Sequence, residues 1–226
     1  MSLPKRERFN QKLLLEGKDD VFVVSKIWET TKGEFSFDRI DCDGKDNIPD
    51  ELRTYILSGN TPSIGIIIDA DDNPAGRWQK YQDELRRLGY EVPKQPSKNG
   101  TIINGLGRNP RVGIWIMPNN DATGILESFI AYLIPENDPL WFESERILSE
   151  IEAKNLNKYA LKDRPKALIH TWLAWQNNVG VNMSTAIAER YLTTDSDLCQ
   201  RFVTWLDNLF NPTAINHQPP HYQTNT

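Results

Sequence analysis

The chain has 226 residues, of which 38% are apolar and 25% are charged, and these proportions are ordinary for a globular protein with one sizeable core or a domain plus an extension. No apolar run approaches the roughly 18–20 residues that cross a bilayer, and no apolar stretch of signal-peptide length follows the charged N-terminus, so we expect a cytoplasmic protein without a membrane partner. The formal net charge of −5 is unlike that of a free-standing nucleic-acid binder, although carboxylates gathered around a metal ion can coexist with a basic face.

The first part of the chain alternates short apolar runs with segments of helical periodicity. Residues 11–15, 35–40, 63–68 and 112–117 read as strands, and the run 63–68 has no polar alternation, which is typical of a parallel sheet covered on both faces. Helices are predicted over 19–29 with Asp19 as the N-cap, around 48–56, and over 78–88, where Gly89 ends the helix. Residues 91–108, rich in Pro and Gly, are predicted to be a loop.

From Gly124 onward the periodicity is helical, with segments centred near residues 130, 149, 172, 189 and 205. We therefore predict an α/β domain over residues 1–135, with a Rossmann-like, mainly parallel sheet and helices on both faces. Residues 136–210 form a helical C-terminal extension packed on that domain. Residues 211–226 contain three prolines and no apolar period, which predicts a flexible tail.

Carboxylates follow several of the predicted strands. Glu16 ends the first strand, Asp69 and Asp71 follow the third, and Asp121 lies near the end of the fourth. The carboxyl ends of parallel strands meet at one edge of the sheet, where ligands bind in such folds. If the first and third strands are neighbours, Glu16 and Asp69 are within reach of one cation. Hard oxygen ligands of this kind suit Mg²⁺ or Mn²⁺.

Each acidic residue also has a purely structural interpretation. Asp19 and Asp20 are suited to the start of the first helix, where a carboxylate satisfies free N–H groups. Glu127 is suited to the start of its helix for the same electrostatic reason. A lone Asp-x-Asp is weak evidence for a site, whereas Asp-x-Asp directly after a buried strand, with Glu-Gly ending an earlier one, is moderately specific.

At these motifs the chain resembles the Toprim superfamily, which includes topoisomerases, bacterial primases and the overcoming-lysogenization-defect nucleases. Leu13-Leu14-Leu15-Glu16-Gly17 matches the superfamily's strand ending in Glu-Gly, and Ile66-Ile67-Ile68-Asp69-Ala70-Asp71 matches its strand ending in Asp-x-Asp. Further along, Gly113 to Asn120, Gly124 to Glu127 and Lys166 to Gln176 are similar to a bacterial and archaeal family of Toprim-like proteins of unknown function.

The resemblance implies roles for six residues. Glu16 matches the superfamily's metal ligand or general acid/base, and Asp69 and Asp71 match its Mg²⁺ ligands. By similarity to the overcoming-lysogenization-defect nucleases, Asp20 and Glu127 are additional acids of the metal site. Lys166 corresponds to the downstream lysine of those enzymes, although a solvated lysine at a helix start is the competing interpretation.

The leading hypothesis is metal-dependent hydrolysis of phosphodiesters in nucleic acid, and two other classes stay open. The Asp-x-Asp strand also fits a phosphatase of the haloacid dehalogenase type with Asp69 as nucleophile, although two strands precede it here, whereas that motif normally lies on the first strand. The third class is a non-catalytic Toprim-like subunit. Because the sequence has no Walker-type phosphate loop, an ATPase partner would be a separate chain. A homodimer is also compatible with the sequence.

Overall fold

The computed structural model describes residues 7–212, and the five strands in this part of the chain form one sheet. The strands are β1 (Lys12–Leu15), β2 (Asp38–Asp41), β3 (Ser63–Asp69), β4 (Thr101–Ile103) and β5 (Arg111–Met117). Their order is β2-β1-β3-β5-β4, in which β4 alone runs antiparallel. Leu15 of β1 is level with Ile67 of β3, so β1 and β3 are neighbours and end at the same edge.

Helices cover both faces of this sheet, as the apolar strands require. The eight α-helices within residues 7–212 are α1 (Lys18–Thr31), α2 (Ile48–Ser58), α3 (Pro74–Arg87), α4 (Leu126–Ala131), α5 (Pro139–Ala153), α6 (Arg164–Ala174), α7 (Met183–Ala188) and α8 (Asp197–Phe210). One core contains buried side chains of α2 and α3, and a larger core contains those of α1, α4, α6, α7 and α8. The Rossmann-like α/β arrangement predicted from the sequence is confirmed.

Helix α8 lies directly on the sheet because two strand positions carry no side chain. A Cβ at Gly113 would lie 2.5 Å from Leu209 Cδ2, and one at Gly65 would lie 2.6 Å from Leu13 Cδ1 and 3.1 Å from Leu209 Cδ2. Both distances near 2.5 Å are shorter than real contacts allow, so a side chain at either position would force Leu209 or Leu13 to move, and glycine permits the close approach as it stands. The last helix thereby buries Leu209 and Phe210 against the centre of the sheet.

Two local predictions are wrong. Residues 91–108 are not entirely loop, because Thr101–Ile103 pairs with β5 as a three-residue edge strand. Asp19 is not the N-cap of α1, because the helix begins at Lys18 directly after an extended Gly17, and this end has no side-chain cap. Cys42 and Cys199 are both buried. Apart from Asn211 and Pro212, the predicted tail lies outside the described residues. No helix between residues 7 and 212 has the length and apolar character of a membrane span.

Candidate functional site

A cavity of about 650 Å³ lies at the edge where the parallel strands end. It is lined by residues that follow β1 and β2, by the last residue of β3, and by the first turns of α1, α4 and α6. The lining residues are Glu16, Gly17, Lys18, Asp19, Asp20, Asp41, Asp43, Gly44, Asp69, Leu126, Glu127 and Lys166. Five of the six residues singled out from the sequence are thus brought together, and Asp71 is the exception.

Glu16 and Asp69 are joined across the ends of β1 and β3. The Asp69 backbone N–H donates to Glu16 Oε1 at 2.8 Å, so the last peptide of β3 orients the carboxylate that follows β1. Burial raises the pKa of Glu16 above its usual value, while this hydrogen bond and the positive charge of Arg77 act in the opposite direction. The adjacency of these two acids, expected only if β1 and β3 were neighbours, is confirmed.

The Asp69 carboxyl group is the least satisfied polar group of the cavity. Its Oδ1 is buried and has no hydrogen-bond partner among the described residues. Burial, together with the negative charges of Glu16 and Asp20, raises the pKa of Asp69 to about 8. A buried carboxyl oxygen without a donor is unfavourable in a folded protein and calls for a ligand, a proton or a cation.

Asp20 and Glu127 add two buried acids from helix starts. Asp20 lies in the first turn of α1, and burial and the charge of Glu16 raise its pKa to about 7. Glu127 lies in the first turn of α4 and is only 3% exposed. Lys166 Nζ, on a side chain that is 55% exposed, lies 3.8 Å from Glu127 Oε1. That ion pair is too long for a hydrogen bond, so the lysine remains able to contact an anion from solvent.

Asp71 is held outside the cavity by two basic side chains. Its Oδ2 accepts from Lys45 Nζ at 2.7 Å and from Arg77 Nη2 at 2.5 Å. Partial burial would raise the pKa of Asp71, but these hydrogen bonds and positive charges hold it below its usual value. Arg77 Nε also donates to the Asp69 carbonyl at 2.9 Å. The backbone of Asp71 pairs with Gly124, which ties this turn to the segment leading into α4.

The donor set of the cavity fits a hard cation in its chemistry. Seven acidic residues line one space, and the buried Asp69 Oδ1, which has no partner among the described residues, is an oxygen of the type that Mg²⁺ and Mn²⁺ prefer. Within residues 7–212, however, no group of three or more acidic, histidine or cysteine side chains is already placed to hold a metal ion. The residues that would hold one are Glu16 and Asp69, with Asp20 and Glu127 nearby.

A comparison with protein families shows where the chain belongs. A model described as "Protein of unknown function (DUF3226)" matches residues 10–211. The chain belongs to this family. No curated protein matches it. The crystal structure of a hypothetical protein from Pyrococcus horikoshii OT3 is similar, with a TM-score of 0.56 and 16% sequence identity over 88% of this chain and 94% of that one. At that identity, the similarity supports the α/β fold alone.

Four charged residues around the site of this DUF3226 chain were not predicted from the sequence. Asp41, the last residue of β2, and Asp43, which follows the strand, line the cavity, and Asp41 Oδ1 accepts from the Asp43 backbone N–H at 2.9 Å. Lys45 and Arg77 are the partners of Asp71. Asp41 and Asp43 could have been predicted, because the run Asp41-Cys42-Asp43-Gly44 places two further carboxylates at a strand end. Asp121, in contrast, is exposed, lies outside the cavity and pairs with Lys98 at 3.4 Å.

A cavity of about 610 Å³ lies at the opposite edge of the DUF3226 sheet, beside the residues that precede β1 and the start of β2. There the Arg39 guanidinium stacks over the Phe35 ring at 3.7 Å, and the Asp38 carboxylate accepts from the backbone of Arg8 and Phe9. Ligands of such sheets bind beyond the carboxyl ends of the strands. The acidic cavity is therefore the better candidate for chemistry.

Proposed function

We propose that this protein is a Toprim-like, metal-dependent phosphodiester hydrolase that acts on nucleic acid at the acidic cavity. The observation that carries the proposal is the buried, unpartnered Oδ1 of Asp69, a residue that lines the same cavity as Glu16, Asp20 and Glu127. The resemblance of the Glu-Gly and Asp-x-Asp strands to the Toprim superfamily supports it. A cytoplasmic location and nucleic acid as partner belong to the same proposal.

The proposed cation is Mg²⁺ or Mn²⁺, held by Glu16 and Asp69 with help from Asp20 and Glu127. Such an ion supplies positive charge that polarises a phosphate oxygen and lowers the pKa of water. Glu16 is oriented for this role by the Asp69 N–H, which fixes one of its oxygens and leaves the other for a ligand. Asp71, held by Lys45 and Arg77, would contribute only if it left these partners.

Two further side chains have properties suited to the reaction. Without a cation, burial and the charge of Glu16 raise the pKa of Asp20 to about 7, so this carboxyl could act as a general acid or base near neutral pH where it is not itself a ligand. Lys166 projects a mobile positive charge at the rim of an otherwise acidic cavity. It is placed to attract a phosphate group toward carboxylates that would otherwise repel it.

Cleavage and metal binding test the proposal together. The purified chain is incubated with supercoiled plasmid and with single-stranded DNA in Mg²⁺ or Mn²⁺, beside Glu16→Gln, Asp69→Asn and the exposed control Asp121→Asn. We expect wild type and Asp121→Asn to cleave, and the other two variants to lose at least about 100-fold in rate, as for loss of a group that stabilises transition-state charge.

Thermal unfolding of the same proteins reports metal binding without relying on cleavage. At a cation concentration of 100 times its Kd, wild type should be stabilised by about 2.7 kcal/mol, and Asp69→Asn should lose this stabilisation. Cleavage unchanged in Asp69→Asn refutes the proposal. Stabilisation by the cation without cleavage points to a non-catalytic subunit beside a separate ATPase. Turnover of a small phosphate ester with a trapped aspartyl-phosphate points to the dehalogenase-type phosphatase.

A further inference from the structure

A smaller cavity of about 310 Å³ adjoins the acidic cavity. Its walls are mainly apolar and come from the loop after β5 and from α4, α5 and α6. They include Pro118, Tyr132, Trp141, Pro165, Leu168 and Ile169. We call this space the side cavity. It is open to solvent at Tyr132, which is 49% exposed although aromatic.

The two cavities adjoin at Glu127, which lines both of them. They also adjoin along the start of α6, where Lys166 lines the acidic cavity and the preceding Pro165 lines the side cavity. A ligand that extends from one into the other would therefore be anionic at one end and apolar at the other. The chain thus presents a lysine for the anionic end and aromatic rings for the apolar end.

The side cavity presents little unpaired charge beyond Glu127. Its only basic wall residue among those described, Arg164, is neutralised by Glu152, since Arg164 Nε donates to Glu152 Oε1 at 3.0 Å and to Oε2 at 3.1 Å. Thr123 and Ser128 add neutral polar groups to the wall. A flat, neutral ring with polar edges matches such a wall better than a second phosphate does.

We propose that the side cavity receives one unpaired nucleobase of the strand whose phosphate lies at the acidic cavity. The inference rests on the proposed function, because it takes the acidic cavity as the phosphate site. A space of about 310 Å³ is large enough for a single base. Bases of every type stack on aromatic side chains, so recognition here is tolerant of sequence. The substrate class is then single-stranded nucleic acid, or a duplex with a base turned out of the stack.

The test is binding of two labelled oligomers of equal length, oligothymidylate and an abasic deoxyribose-phosphate chain, measured by fluorescence anisotropy with Ca²⁺ as the cation. Both carry the same phosphates, so their ratio of Kd values isolates the base. Stacking should make wild type bind oligothymidylate about 10-fold or more tightly than the abasic oligomer. Trp141→Leu and Tyr132→Leu should bring this ratio close to one. Phe142→Leu is the matched control, because Phe142 is 54% exposed on the same helix as Trp141 and does not line the side cavity.

Two variants are used because Trp141 is partly buried and its replacement could lower stability, whereas Tyr132 is half exposed. The inference is overturned if the ratio is near one in wild type, or if folded Tyr132→Leu keeps the wild-type ratio. Cleavage in Mn²⁺ is measured in parallel. Cleavage without base discrimination removes the side-cavity proposal and leaves the hydrolase. Base discrimination without cleavage removes the hydrolase and leaves base binding in the side cavity.

Discussion

The buried carboxyl of Asp69 leads to a prediction about the pH dependence of stability, and testing it does not require a substrate. Asp69 has a pKa of about 8 in the folded chain against an ordinary value of 3.8. Between these two values the folded state holds a proton that the unfolded chain has released. A folded state that binds more protons loses stability as the pH rises. In EDTA, the protein should therefore become less stable from pH 5 towards pH 8.

The size of this effect follows from proton linkage. One proton corresponds to about 1.4 kcal/mol per pH unit, so Asp69 alone accounts for about 3 kcal/mol between pH 5 and pH 7. For a chain of this length, that difference corresponds to a fall in Tm of about 5–10 °C. Asp69→Asn cannot release a proton, so it should lose this part of the pH dependence and be more stable than wild type at pH 7 in EDTA.

Thermal unfolding at several pH values, followed by circular dichroism in EDTA, measures this difference. Asp121→Asn is the control, since it makes the same chemical change at an exposed carboxylate paired only with Lys98 among the described residues. Its effect should stay within about 0.5 kcal/mol at every pH. If wild type and Asp69→Asn lose stability in parallel as the pH rises, the Asp69 carboxyl is not the buried acid inferred here.

Two further predictions concern groups that support the site and the sheet. Arg77→Met should destabilise the fold by about 1–3 kcal/mol, because it leaves the Asp69 carbonyl and the Asp71 carboxylate without their buried donor. Lys45→Met, which removes a more exposed partner of Asp71, should cost less than about 1 kcal/mol. Both free energies of unfolding are measured by urea titration. Equal losses in Arg77→Met and Lys45→Met would contradict the assigned roles. Gly113→Ala should cost about 1–3 kcal/mol through overpacking. Combining it with Leu209→Ala should give a smaller total loss than the sum of the two single changes, and strict additivity would show that α8 does not contact the strand at this point.

The location of Glu16 and Asp69 at the same edge of the sheet was predictable, because it follows from strand polarity alone. An apolar run without alternation indicates a parallel strand, and parallel strands end at one edge. The neighbouring positions of β1 and β3 were only a condition in the sequence argument, because strand order depends on crossovers that leave no local pattern. β4 was missed for a related reason, since three residues between loop signals are too short to show a period.

The surroundings of Asp71 could not be predicted, because its partners come from two other elements. Lys45 lies 26 positions earlier, after β2, and Arg77 lies in α3 on the far side of the turn. Asp20 was ambiguous for a different reason. A carboxylate in a first helical turn usually faces water and complements the helix dipole, and only the packing of α1 on the sheet shows that this one is 9% exposed.

The electrostatics of the cavity also bear on the choice among the three candidate functions. A phosphatase of the dehalogenase type would need Asp69 approachable as a nucleophile, yet its Oδ1 is buried. A cation would supply both the missing partner and the charge that favours ionisation, which suits Asp69 to the role of ligand. Burial and the charge of Glu16 raise the pKa of Asp20 to about 7 in the absence of a cation, and a bound cation would lower it, so Asp20 suits a ligand in a metal-binding module as well as in a hydrolase. The electrostatics of the cavity therefore favour a bound cation, and cleavage of DNA by the wild-type chain is what separates a hydrolase from a module that only binds metal.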